Sequence, residues 1–459
     1  MRGQSERASK VFKALRVVLA VLAMLAVLWP PAPVSAAMVI NEVTIVDGTG
    51  RPALAGRTVL IEGDRIVAIR DHAIAAPAGA TLIDGRGKFL IPGMADTHIH
   101  LPGGRDAHGG PAMDMDTGRR MLQGYLYNGV TFVCDVANYD KYIFAIRDAE
   151  RSGRMLSPRV FAVGYPMAWT GGYGSGGVYP TLSNYEEGVK AMDALLAQKP
   201  DLVKFLYAPH VVNNPNELPA FDPTTLHRLI MYANERGFRT TIHAVEGVTQ
   251  RAAVEAGIDA LAHPVYETET DDKLAPLIAT KGLPVSTSLA VLANIFRLAE
   301  SPSDFDSPPF RALLTDTDLA FFRDAERARY LRTNMAAWGR QAFGYASRND
   351  RKLYDAGATL ALGTDRTIGA YVPMELELIV GLGIPPLQAL RIATLNAAIY
   401  LHAADRMGSV EEGKLADLVL LNDDPTKDID NVRKISAVIL GGKVVDRAKL
   451  DLPINHRGE

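Results

Sequence analysis

Residues 90–100 read LIPGMADTHIH, a short apolar run that ends in His98-Ile99-His100. Side chains two apart on a strand share a face, so both imidazoles can point the same way at the strand's end. Working outward, the same texture recurs at GVTFVCDV (129–136), RVFAVG (159–164), DLVKFLY (201–207), RTTIHA (239–244), DALAHP (259–264), LPVSTSL (283–289) and ATLALGTD (358–365). Each run is short, apolar and closed by polar or glycine residues. Helix-like stretches lie between most of them, such as SNYEEGVKAMDALLAQ (183–198) and VTQRAAVEAG (248–257). Strand and helix alternating eight times predict an α/β chain built on a (β/α)8 TIM-like barrel, expected over residues 91–404. The largest insertion falls between Leu289 and Leu360 and reads as mostly helical; a second, NNPNELPAF (213–221), follows strand four.

The flanks have a different rhythm. MVINEVTIVDG (38–48), RTVLIEGDRIVAIR (57–70) and ATLIDGRGKFLI (80–91) alternate apolar and polar residues between Gly and Asp turns. The tail returns to this pattern in ADLVLLNDD (416–424) and ISAVILGGKVVD (435–446). One small β-sandwich domain assembled from residues 38–90 and 405–447 is therefore expected.

Residues 1–36 form a separate unit. Arg2, Arg7, Lys10, Lys13 and Arg16 precede an apolar run at 17–28, followed by Pro30-Pro31 and Val34-Ser35-Ala36. This is the charged region, apolar core and small-residue cleavage site of a signal peptide, with processing expected near Ala36. The run is shorter than the roughly 20 apolar residues of a membrane span, so no stable anchor is expected after processing. No cysteine follows it, which excludes a lipoprotein. The expectation is an exported, periplasmic protein. The net charge of −3 combines a local +4 in residues 1–36 with −7 on the rest, the wrong sign for nucleic-acid binding. A single cysteine, Cys134, excludes a disulfide framework and a cysteine-based zinc site.

Barrel enzymes carry their catalytic residues at the C-terminal ends of strands. Here strand one ends in His98 and His100, strand four carries Lys204, strand five His243, strand six His263 and strand eight Asp365. Each has an ordinary alternative: a core histidine with its hydrogen bonds met, or an aspartate capping a helix. Lys204 is harder to explain that way, because an unpartnered ammonium in an apolar strand is expensive to bury. A buried lysine with a depressed pKa can instead react with carbon dioxide to give a carbamate. Coincidence on five strands of one barrel is far less plausible than any one residue alone.

In this set the chain resembles the amidohydrolase superfamily, within its bacterial prolidase and imidazolonepropionase-like branch. The stretches that carry the likeness are LIPGMADTHIHL, DLVKFLY, TIHAVEGVTQRAAVEAGIDALAHP, LALGTD and ATLNAAIYLHAADRMGSVEEGKLADLVLL, together spanning most of residues 38–445. The resemblance implies two divalent metal ions, with zinc as the default for histidine and carboxylate ligands. It assigns His98, His100 and Asp365 to one ion and His243 and His263 to the other, with carboxylated Lys204 and a hydroxide bridging them. It implies Asp365 as general base and acid in cleaving an amide or peptide-like C–N bond. The implied partner is a small-molecule substrate: an N-acyl amino acid, a dipeptide or an aryl-amide conjugate of the ochratoxin kind. The alternative is a cyclic amide, lactone or ester opened at the same centre. A homo-oligomer is implied by the resemblance alone. A binding protein on the same scaffold would be expected to have lost ligands, and this chain keeps every one.

Two loops depart from the prolidase-like pattern. A Ser/Thr-Gly-Gly turn is expected after the lysine strand, but the chain reads YAPHVVNN (207–214), with Tyr207 and His210. The third-strand loop reads Thr170-Gly171-Gly172-Tyr173-Gly174 in place of Gly-Gly-His-Gly. Tyr173, Tyr207, His108 and His210 are accordingly candidate substrate contacts, and Arg366 a candidate partner for an anionic group. Phe321, Phe322, Met335 and Trp338 of the long insertion are expected to pack internally. His72, His227, His402 and His456 fall outside the strand-end pattern, and no phosphate loop or dinucleotide fingerprint occurs in a convincing context.

Overall fold

The eight apolar runs form eight parallel strands: Met94–Ile99, Val130–Asp135, Arg159–Ala162, Val203–Leu206, Thr240–His243, Ala260–Leu261, Val285–Ser286 and Leu360–Ala361. They are seen in a computed structural model that describes residues 37–105, 110–176, 179–211 and 216–453. The expected signal peptide, His108 and His456 lie outside the described residues. The strands are almost wholly buried, which is why they read as continuous apolar runs and do not alternate.

Strands one to three hydrogen-bond as one group and four to eight as another. The seam between three and four is crossed by Met167, whose N–H donates to the Lys204 carbonyl at 2.7 Å while its own carbonyl accepts from Leu206 N–H at 3.0 Å. Between eight and one, Thr97 N–H donates to the Leu362 carbonyl at 2.9 Å and Asp365 N–H to the His98 carbonyl at 2.8 Å. The eight strands thus follow one another around a ring, as the (β/α)8 reading expects. Gly363 makes the last join possible. A β-carbon there would lie 2.0 Å from Ser286 Oγ and 2.9 Å from His98 Cβ.

The connecting helices begin where the sequence supplies caps. Asp114 accepts from Thr117 N–H ahead of Met115–Tyr127, Asn184 from Glu187 N–H ahead of Tyr185–Leu196, and Asp222 from Thr224 and Thr225 N–H ahead of Pro223–Asn234. The long insertion is helical, as expected. Helix Leu289–Glu300 packs along the 21-residue helix Met335–Asp355, with short helical turns between them.

Both chain ends meet in an eight-stranded sheet. Strand Phe89–Pro92 is its seam, pairing parallel with Met38–Ile45 and antiparallel with Leu418–Leu421. The sheet carries the small domain two residues past the expected boundary at 90. Its core (Ile40, Ile45, Val59, Ile61, Ile66, Leu90, Leu418, Leu420 and Ile439) comes almost entirely from its own strands. The small domain is thus one continuous hydrogen-bonded sheet with a core of its own.

Candidate metal centre

Strands one and eight bring three of the expected ligands together. The ligating atoms of His98, His100 and Asp365 all lie within 4.8 Å of one another. His98 Nδ1 is 3.0 Å from the carbonyl of Ala262. A carbonyl only accepts, so Nδ1 holds the proton and Nε2 keeps its lone pair toward Asp365 Oδ1, 3.6 Å away. His100 is held similarly, with Nδ1 3.3 Å from the Ala137 carbonyl and Nε2 3.2 Å from Asp365 Oδ1.

The remaining histidines follow in a chain of rings. The His263 ring lies 4.4 Å from that of His98 and 4.7 Å from that of His243, centroid to centroid. All four imidazoles, Lys204 and Asp365 line one cavity of about 190 Å³, together with Tyr173 and Tyr179. Five strands therefore deliver the six side chains to one place.

Burial sets their protonation. Desolvation holds His98 and His263 well below the ordinary imidazole range and brings His243 down to about 3. It also lowers Lys204 to about 7, so a neutral amine is accessible near neutral pH. Desolvation opposes ionisation of Asp365, but the imidazoles of His98 and His100 outweigh it and keep the carboxyl well below its usual range. At His100 desolvation is likewise outweighed, by the Asp365 carboxylate, and its pKa is raised.

This donor set suits a divalent cation. Neutral imidazoles and an ionised carboxylate are the forms that ligate, and the buried Nδ1 of His263 has no hydrogen-bond partner among the described residues.

Several residues that hold the ligands in place are not among the expected site residues. Asp96, two positions before His98, is fully buried. It accepts from Thr364 N–H at 2.9 Å, from Thr364 Oγ1 at 2.6 Å and from His98 N–H at 3.2 Å. Burial pushes its carboxyl up to about 8 against those bonds. Asp96 thereby ties strand one to the turn that presents Asp365, whose φ of +51° is left-handed and costs roughly 1 kcal/mol outside glycine. Asp135, ending strand two, accepts from Leu101 N–H at 2.7 Å and Asn138 Nδ2 at 2.8 Å, fixing the loop beyond His100. Gln250 Nε2 spans the carbonyls of Ala244 and His263 at 3.1 and 3.0 Å, setting strand five against strand six. Polar residues at strand ends are the signal that picks out Lys204, and it applies equally to Asp96 and Asp135.

The expected substrate contacts divide. Tyr173 stacks on His243, 4.5 Å between centroids and 19° between planes, and remains 37% exposed. Beyond it lies a second cavity of about 240 Å³, to which His210 contributes while pairing through Nδ1 with Glu246 at 2.9 Å. Tyr207 packs against the hydrophobic core and lines neither cavity. Arg366 is also directed elsewhere: its guanidinium lies 4.9 Å from the Tyr371 ring centroid and donates to that hydroxyl at 3.3 Å. Adjacent side chains alternate in direction, so Arg366 turns away from the side that Asp365 presents. All four insertion residues expected to pack internally do so against the main core, and Met335 and Trp338 also line the second cavity.

The profile of the amidohydrolase family matches residues 89–445. Ochratoxinase from Aspergillus niger is 24% identical over 445 residues, covering 87% of this chain and 85% of that protein. A Xaa-Pro dipeptidase with methionine bound in its active site has a similar fold, with a TM-score of 0.73 at 21% identity over 89% of this chain and 100% of that one. A putative prolidase from Bifidobacterium longum gives a TM-score of 0.72 at 23% identity over 93% and 97%.

Proposed function

The chain belongs to the amidohydrolase family, and on that premise we propose that it is a metal-dependent hydrolase of amide C–N bonds with a binuclear centre. In this reading His98, His100 and Asp365 would hold one divalent ion and His243 and His263 the other, with Lys204, as its carbamate, a ligand to both. Zinc is the default ion for this ligand set. The observation that carries the proposal is the delivery of six side chains from five strands into one cavity, with His98, His243 and His263 held neutral and Asp365 ionised. When bound, the ions supply Lewis acidity that polarises a carbonyl and acidifies water.

The protein's own groups account for the rest. The carbamate forms when the neutral Lys204 Nζ attacks carbon dioxide and releases a proton. The Asp365 carboxylate accepts the proton given up by the attacking water and returns it to the nitrogen of the departing amine as the C–N bond breaks. Tyr173 is positioned to hydrogen-bond the substrate beside His243. A cavity of about 190 Å³ holds the amide and little else, so the substituents extend outward.

N-acyl amino acids, dipeptides and aryl amides of the ochratoxin kind form the substrate class, in keeping with the likeness to ochratoxinase. The basic, then apolar, sequence of residues 1–36 supports export to the periplasm with processing near Ala36. The test is mass-spectrometric turnover of a panel by the protein from Ala37 onward, with metal content measured alongside. The panel contains N-acyl amino acids, dipeptides, aryl amides and lactones. Amide cleavage is expected. Turnover of lactones or esters without amides would replace this reading with the ester-type alternative.

A further inference from the structure

The second cavity sits directly against the proposed metal centre, sharing Tyr173, His243 and Asp365 with it. Its walls are Tyr266, Leu292, Ile295, Met335 and Trp338, with Glu267 among them. They come from two parts of the chain far apart in sequence. Tyr266 and Glu267 follow His263 by three and four residues in the loop after strand six; the others belong to the two packed helices of the long insertion. An edge-to-face series of rings runs outward from the centre. His263 to Tyr266 is 5.7 Å at 84°, and Tyr266 to Trp338 is 6.1 Å at 83°. Such a series presents ring faces and edges to any aromatic group placed beside it.

Size and charge narrow the occupant. A cavity of roughly 150 Å³ is enough for a benzene ring. At about 240 Å³, this one admits a single ring with one substituent. Glu267 lies at the Trp338 end, accepting from Trp338 Nε1 at 3.4 Å. That single long bond leaves the carboxylate capacity for a further donor. A carboxylate or phosphate on the ligand would meet Glu267 as a like charge, whereas an N–H, O–H or ammonium would pair with it.

We propose that this cavity is the substrate's side-group subsite, taking one aromatic ring whose substituent donates a hydrogen bond or positive charge to Glu267, with Trp338 as the specificity-determining residue. The inference rests on the amide-hydrolase reading for its role in turnover, but ligand binding tests the subsite independently.

The experiment uses the metal-loaded protein from Ala37 onward and three probes: tyramine, phenylacetate and butylamine. Binding is followed by calorimetry and by tryptophan fluorescence, since Trp338 shares that protein only with Trp169. Tyramine is expected to bind at one site, with phenylacetate and butylamine each at least tenfold weaker. Trp338→Ala should weaken tyramine about three- to tenfold, the usual worth of an aromatic pair, and Trp338→Phe should recover most of the loss. Glu267→Gln should narrow the gap between tyramine and phenylacetate. With turnover in hand, the ratio of kcat/KM for an aromatic amide over its aliphatic analogue should fall by the same factor in Trp338→Ala. Equal tyramine affinity in wild type and Trp338→Ala, both folded by circular dichroism, would overturn the subsite. So would phenylacetate binding as tightly as tyramine. Specific tyramine binding without amide turnover would keep the subsite and defeat the hydrolase reading.

Discussion

The two adjoining cavities are built in opposite ways. The inner one is lined by side chains fixed to the ends of barrel strands, with His98 and His100 held by backbone carbonyls and the Asp365 turn tied to strand one by the buried carboxylate of Asp96. The outer one draws most of its walls from a loop and from an insertion of about seventy residues, held largely by apolar packing and the long Trp338–Glu267 hydrogen bond. Rigid strands suit a reaction that tolerates little displacement, and a separable wall suits a choice among substrates. On the proposed reading, chemistry and selectivity fall to different structural elements. Changes to the inner cavity should therefore abolish turnover of every substrate, and changes to the outer one should re-rank substrates.

The sharpest test of that division is Asp365→Asn. The amide keeps the size and one acceptor oxygen but cannot shuttle a proton, so kcat should fall by about 10²–10⁴-fold on all amides alike. The measurement is steady-state kinetics on aromatic and aliphatic amides, with metal content by mass spectrometry. A loss confined to one substrate type would mean that Asp365 serves selection, and the two cavities would not be separable in function.

This division also explains what the sequence discloses. Barrel strands have a fixed repeat and a fixed functional end, so His98, His100, Lys204, His243, His263 and Asp365 are legible as one set from the amino-acid order alone. The second cavity has no such grammar. Trp338 and Tyr266 are 72 positions apart, and nothing in either local sequence says that they meet. Met335 and Trp338 read as core residues because a helix with an apolar face has the same pattern whether it covers a core or a cavity. Arg366 reads as a pocket residue because it adjoins Asp365, but adjacent side chains alternate in direction and it meets Tyr371 instead. Asp96 is legible in principle: an acid inside an apolar strand has to find donors, although which donors depends on strand eight passing beside strand one.

Asp96 gives the next largest expected effect, because it touches no proposed ligand atom and yet joins the two strands that carry three ligands. Asp96→Asn should retain the fold and weaken metal affinity by about 10–100-fold, the usual penalty for losing a residue that orients ligands. Chelator competition reads this directly, and the relative ranking of substrates should not move. A changed ranking with unchanged metal affinity would place Asp96 outside the metal-holding framework.

The smallest effect tests the joint between the two regions. Helix Leu289–Glu300 supplies Leu292 and Ile295 to the outer cavity, and its N-terminus is held by Glu375 from the helix after strand eight. The buried Glu375 carboxylate accepts from Thr287 Oγ1, Leu289 N–H and Ala290 N–H, yet desolvation pushes it up to about 7 from an ordinary 4.5. Because the folded-state value is the raised one, this group's contribution is fully present below about pH 4.5 and is lost as pH rises through about 7. Between pH 5 and 8 the loss should amount to about 2 kcal/mol. Glu375→Gln resembles the protonated acid at every pH, including its single fully accepting oxygen. It should therefore match the wild type near pH 5 and exceed it in stability near pH 8, in urea titrations at fixed metal loading. If Glu375→Gln were instead destabilised by the same amount at both pH values, the three donors would be outweighing burial. Glu375 would then be an ionised cap, and the outer wall would be anchored to the barrel as firmly as the ligands of the inner one.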